Sequence, residues 1–172
     1  MELRPTPGVH RHPSTDDFEL ASADYVSEDE LTELARSEYP WVVQAVAANE
    51  RAPGSVLRDL APERLDRETD VDLARALLRN PALPPEVIGR LLLDLMSALD
   101  PHHFGAEFDA VVRVFTRADA PDDALLQVLT HPSATRHFRI EVARVAVNPR
   151  VRAILAADRS GRVRDAATRD TR

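Results

Sequence analysis

The stretch Val42 to Ala61, VVQAVAANERAPGSVLRDLA, carries an apolar run that stops at Asn49 and restarts behind Pro53. Asp72 to Leu92, DLARALLRNPALPPEVIGRLL, has the same order of apolar run, Asn, Pro and second run. Aligning the chain on itself at Asn49, Asn80, Arg117 and Asn148 extends the pattern into columns. Six residues before these marks stand Val43, Ala74, Val111 and Val142. Three before stand Val46, Leu77, Val114 and Val145, and two before stand Ala47, Leu78, Phe115 and Ala146. Those offsets share one side of a helix, so each run predicts an amphipathic helix.

Pro53, Pro84 and Pro121 each follow their mark by four residues. Beyond them come Val56, Val87 and Ala124, then Leu57, Ile88 and Leu125. One turn further lie Leu60, Leu91 and Val128, then Ala61, Leu92 and Leu129. This spacing is that of a second amphipathic helix. Asn tolerates the left-handed backbone that ends many helices, which gives Asn49 and Asn80 the part of terminators. Pro fits the first helical turn, where its missing N–H has no intrahelical partner. The turn between them is too short for anything but adjacent, packed helices.

The marks are 31, 37 and 31 residues apart, a period of stacked helical repeats. In the last unit Pro149 follows Asn148 directly, which reads as a shortened terminal repeat. Residues 1–26 contain Pro5, Pro7 and Pro13 and read as an arm, disordered or laid across the first repeat. Ser27 to Glu30 form a capping box that starts a short helix carrying Leu31 and Leu34. Helices are then expected over 40–49, 53–61, 70–79, 84–98, 103–116, 121–130, 136–147, 149–157 and 160–169. No strand alternation occurs. The expected fold is all-α, a short right-handed α-solenoid of four to five helix pairs over residues 27–172.

AVAANERAPGSVLRDLA and ALLRNPALPPEVIGRLL resemble the repeat consensus of the leucine-rich repeat variant group, within the HEAT-like α-solenoids. DRSGRVRDAA is similar to the link into a following repeat, so the resemblance spans roughly Ser27 to Ala167. It implies alternating α-helices and tighter helices in a curved superhelix that binds partners rather than catalysing a reaction. Units of that group run to about two dozen residues, shorter than these. PERLDRETD (Pro62 to Asp70) and SALDPHHFGAE (Ser97 to Glu107) account for the excess. A member of the group carries an iron–sulfur segment; with no Cys, this chain has no ligands for one.

The length of 172 residues suits one domain with its own core. Lack of Cys removes disulfides and thiol chemistry and fits a cytoplasmic location. No apolar run reaches the roughly 18 residues of a membrane span, and MELRPTPGVHRHPS has no apolar signal core. The net charge of −7 and 5% aromatic content disfavour a general nucleic-acid surface. That charge is uneven: residues 1–133 hold 12 Arg against 25 acidic residues, residues 134–172 hold 10 Arg against 4. Every basic residue is Arg, a type suited to bidentate pairing.

Chemical motifs are sparse. His102, His103 and Glu107 offer one spacing compatible with a metal, without an HExxH pattern behind it. His10 and His12 lie in the arm, and His131 and His137 bracket a Pro turn. Asp122 and Asp123, like Glu86, sit where a carboxylate complements a helix N-terminus. No Gly-rich phosphate loop is present, and Ser55, Ser133 and Ser160 lie in no nucleophile motif.

The expectation is a non-enzymatic scaffold for protein–protein interaction, with no cofactor and no bound metal. Its candidate contact residues are Arg136, Arg139, Arg144, Arg159, Arg162 and Arg164 at the basic end. Trp41, opening the first full repeat, either packs the end of the stack or is a binding hot spot. An acidic protein fits the basic end, and a second copy of this chain is one such protein. The alternative is a nucleic-acid-binding HEAT-like module acting through the same Arg residues.

Overall fold

A computed structural model describes residues 13–98 and 105–169. Among the described residues the chain is all-helical, with eleven α-helices and no strand. They are α1 (Pro13–Ala21), α2 (Glu28–Leu34), α3 (Pro40–Ala48), α4 (Gly54–Leu60), α5 (Glu68–Arg79) and α6 (Pro85–Ala98). After them come α7 (Ala106–Val114), α8 (Asp122–Thr130), α9 (Arg136–Val145), α10 (Pro149–Ala156) and α11 (Gly161–Thr168). The part of residues 1–26 that is described thus contains a helix, α1, which packs on α2 and α3.

Local sequence sets the helix starts. Ser27 Oγ accepts from the Glu30 N–H, and the Glu30 carboxylate accepts from the Ser27 N–H at 2.9 Å, closing the capping box of α2. Pro40 and Pro149 occupy the first turns of α3 and α10, as expected of Pro. Pro53 and Pro121 sit one residue earlier, at the N-caps of α4 and α8, with φ of −59° and −62°. That position also asks for no N–H, and their carbonyls accept from Leu57 and Leu125. Of the PERLDRETD insertion, Glu68 to Asp70 are the first turn of α5.

The odd-numbered helices pack in succession: α1 on α3, α3 on α5, α5 on α7, α7 on α9 and α9 on α11. On the other side α6 packs on α8 and α8 on α10. One apolar core runs between these sides from Ala21 to Ala167. The column two residues before the marks is buried throughout: Ala47, Leu78, Phe115 and Ala146. Val46, Leu77 and Val114 are buried as well, whereas Val145 is half-buried. In α3 the stripe is turned by one residue, with Val42 buried and Val43 only partly so. The second columns are buried in α6 and α8, while Leu60 and Ala61 are partly exposed because α4 stops at Leu60.

The Asn marks end their helices by a means other than the expected one. Asn49 and Asn80 are the C-caps of α3 and α5, but their φ values are −73° and −77°. No non-Gly residue among those described has positive φ. Their side chains reach back instead to the preceding unit. Asn49 Nδ2 donates to the carbonyls of Ala21 and Ala23, at 2.8 and 3.1 Å. Asn80 Nδ2 donates to those of Ala47 and Asn49, both at 2.8 Å. Each Oδ1 accepts a backbone N–H two residues on, from Arg51 or Ala82. The orphan carbonyls at one helix end are therefore satisfied by the next unit.

Arg117 does the same work with a different group. Its guanidinium donates to the carbonyls of Asn80 and Leu83, each at 2.9 Å, and is braced by both carboxylate oxygens of Asp119. In the last unit the backbone takes over, with the Val147 N–H donating to Phe115 O at 3.1 Å. Asn148 has become the N-cap of α10, accepting from Arg150 and Val151. Direct succession by Pro149 leaves no room for a turn after the mark, so the Asn caps forward.

Ion pairs join neighbouring units at the surface. Arg58 of α4 binds Glu86 of α6, Arg75 and Arg79 of α5 bind Glu107 and Asp109 of α7, and Arg150 binds Asp122. Asp122 also accepts from Asn148 Nδ2 at 2.6 Å. Glu86 and Asp122 thus link units as well as complementing a helix end.

Candidate functional site

Two grooves open along the succession of odd-numbered helices. The first, about 870 Å³, lies where α1, α3, α5 and α7 meet. Phe18 and Trp41 line it and remain 43% and 47% exposed, unusual for side chains of their size. The Trp41 ring leans on Tyr39, centroids 5.0 Å apart, which fixes its direction. Arg75 crosses the floor, donating to Asp72 at 2.6 Å and to Glu107 at 2.8 Å. Arg113 also lines the groove; it is exposed, and its guanidinium makes no hydrogen bond or ion pair among the described residues. An aromatic wall, a braced polar floor and an unengaged guanidinium thus meet in one groove.

The second groove, about 540 Å³, lies between α9 and α11. Arg144, Arg162, Arg169 and His137 line it together with Ile140, Glu141, Asp165 and Ala166. Arg144 is bound to Glu141 at 2.7 Å. Arg162 and Arg169 are exposed and have no polar partner among the described residues.

The arginines expected to act together are divided by the fold. Arg144 and Arg162 share the α9–α11 groove, joined there by Arg169. Arg136 is exposed at the start of α9, outside it. Arg159 is exposed beside a different groove, one lined by Leu129, His131 and Ile154. Arg164 donates to Asp158 O at 2.7 Å. Arg139 is turned inward, its side chain 12% exposed, bound to Asp158 at 2.8 Å and donating to Ala134 O at 2.6 Å. Its role is to fasten α9 to the turn before α11.

Burial pushes the Asp158 carboxyl up, but the Ser160 N–H and the Arg139 guanidinium outweigh it and hold the group below its ordinary value. Hydrogen bonds from Arg67 lower Asp70, those from Arg117 lower Asp119, and the Ser27 hydroxyl lowers Glu30. Every carboxyl so displaced is held as an anion by a donor, the behaviour of structural pairs rather than of general acids.

His10, His12, His102 and His103 lie outside the described residues. Glu107, the third member of that set, is engaged by Arg75. Among the described residues no three or more metal-binding side chains cluster, and no helix is long and apolar enough to cross a membrane.

Phe18 and Arg113 were not indicated by the sequence. Phe18 is separated from Trp41 by 23 residues, and only the packing of α1 on α3 puts both on one groove. The sole available sign was an aromatic residue within an otherwise acidic segment. Set against known families, known proteins and solved structures, the chain matches none.

Proposed function

We propose that the chain is a short right-handed α-solenoid of the leucine-rich repeat variant or HEAT-like kind, acting as a non-enzymatic scaffold that binds protein. Unbroken succession of contacts from α1 to α11 through the odd-numbered helices supports the solenoid reading. So does the side-chain ladder of Asn49, Asn80 and Arg117, in which each unit closes the helix end of the one before. The cytoplasmic setting expected of a Cys-free sequence belongs to the same proposal.

The observation that carries the binding function is the pair of half-exposed aromatics, Phe18 and Trp41, in the four-helix groove. Trp and Arg dominate the energetics of protein interfaces, and Arg113 stands unengaged in the same groove. A photoreactive side chain at Gln44, within the groove, tests this in extract of the source organism. A discrete protein adduct is expected, lost with Trp41→Ala and kept with Arg159→Ala. Absence of any adduct, or an adduct indifferent to Trp41→Ala, overturns the proposal.

The unengaged Arg162 and Arg169 favour one competing reading, a nucleic-acid surface at the basic end. The acidic remainder of the chain, 25 carboxylates against 12 Arg over residues 1–133, opposes it by repelling phosphate. Binding to duplex or single strands at low salt, weakening by about one log unit per log unit of salt for each phosphate contacted, is its signature.

A further inference from the structure

The interior odd-numbered helices each lie between two others of their row, whereas α1 packs only on α3 and α11 only on α9 within it. The two ends of the row carry opposite charge. Residues 13–38, spanning α1 and α2, hold nine carboxylates and a single basic residue, Arg36. Residues 136–169, spanning α9 to α11, hold nine Arg against three carboxylates.

The charges at both ends are in part unengaged. Asp16, Glu28 and Asp29 are exposed and make no ion pair among the described residues. Arg162, in α11, and Arg169, its C-cap, are in the same position on the opposite end. Both line the α9–α11 groove, so both guanidinium groups are offered to one occupant. The acidic end also carries an apolar anchor. Tyr25, 82% exposed, lies between α1 and α2, and the α9–α11 groove offers the partly buried Ile140 and Ala166 as its floor.

We infer that the α9–α11 groove receives the acidic α1–α2 end of a second copy of this chain, head to tail. The inference rests on the scaffold reading and names one partner of it. Tyr25 enters over Ile140, while Asp16, Glu28 and Asp29 face Arg162 and Arg169. Docked so, α1 of one copy continues the row of odd-numbered helices past α11 of the other. The contact is heterologous, so each copy still presents one free head and one free tail, and assembly proceeds to rings or filaments. Exposed charge pairs weaken with screening, which makes the assembly salt-dependent.

Sedimentation velocity of the full chain at about 20 mM and about 500 mM salt provides the test, since screening between exposed charges differs widely over that range. Wild type is expected to grow with concentration at low salt and to fall back to monomer at high salt. Arg162→Glu with Arg169→Glu is expected to weaken self-association by about tenfold or more, through like-charge contact. Asp16→Arg with Asp29→Arg is expected to do the same from the other side. Mixing the two double variants restores the native contact at one junction and pairs the reversed charges at the other, so assemblies containing both variants should form where neither variant assembles alone.

A wild type that stays monomeric at low salt overturns the inference, and so does assembly untouched by the arginine reversals. Far-UV circular dichroism of each variant checks folding, and Arg162→Gln with Arg169→Gln gives a milder second measurement. Trp41→Ala should leave assembly unchanged. Loss of assembly and loss of the Gln44 adduct are therefore separately readable, and failure of one does not entail failure of the other.

Discussion

Replacing Asn80 by Ala removes three hydrogen bonds at the junction between α3 and α5. Asn80 is 1% exposed, and its amide donates to Ala47 O and Asn49 O while accepting from the Ala82 N–H, all at 2.8 Å. Two of the three orphaned groups have recourse. Asn49 O keeps the Ala52 N–H, and Ala82 is exposed, so its N–H turns to water. Ala47 is wholly buried, and its carbonyl is left without its side-chain donor. Net worth near 1 kcal/mol per bond, with the penalty for a buried unpaired carbonyl, places the loss at about 2–4 kcal/mol. Urea unfolding followed by circular dichroism at the helix band measures it, with the slope expected to be unchanged.

Two companion substitutions identify the cause. Asn80→Asp keeps the shape but aims a carboxylate at two carbonyl oxygens, and should cost at least as much at neutral pH. Asn80→Gly would be harmless if the residue served only as a left-handed terminator. At φ −77° glycine gains nothing, so it should fall as far as Ala or further. An Asn80→Ala protein within about 0.5 kcal/mol of wild type, the range of inert surface changes, refutes the ladder as a source of stability.

The core register predicts that Leu77→Ala and Leu57→Ala, both fully buried, each cost about 2–5 kcal/mol by urea unfolding, while Arg162→Ala changes little. Gly89 lies inside α6, where an added Cβ would meet Ala124 Cβ at 3.5 Å, an ordinary contact. Gly89→Ala should therefore stabilise by about 0.5–1 kcal/mol through helix propensity, read as a raised Tm. Gly89→Leu should lower it by forcing α6 from α8. For Asp158 the folded pKa lies below the ordinary 3.8, so its contribution is fully present above that value and is lost as pH falls through the folded one. The stability gap between wild type and Asp158→Asn should be constant near neutrality and close in that acid range, as measured by unfolding titrations at stepped pH.

The helices were legible because burial has the period of the helix. Leu77, Leu78, Leu91 and Leu92 stand in the columns where the repeat puts them, and all four are buried. Val42 and Val43 show the limit of that reading. Both are apolar, and which one turns inward depends on how α1, α2 and α5 close around α3. Asn49 and Asn80 were read as helix ends for a backbone reason, whereas their amides act across units some thirty residues apart. A local propensity cannot represent such a bond. Arg117 hides the same function under another residue type, since a guanidinium and an amide both present N–H donors to carbonyls. The candidate grooves were less legible still. Trp41 was visible as a lone indole, but Phe18 and Arg113 join it only through tertiary packing, and Arg162 and Arg169, near neighbours in sequence, meet Arg144 only because α11 packs on α9. Arg139, indistinguishable in sequence from its neighbours, faces inward because Asp158 is there to receive it.

The Asn49, Asn80 and Arg117 rungs each reach toward residues that precede them in the chain. During synthesis on a ribosome, which proceeds from the N-terminus, every donor would emerge to find its acceptor already in place. Growth of the native structure could then keep step with translation, each hairpin sealing the one before it as it clears the exit tunnel.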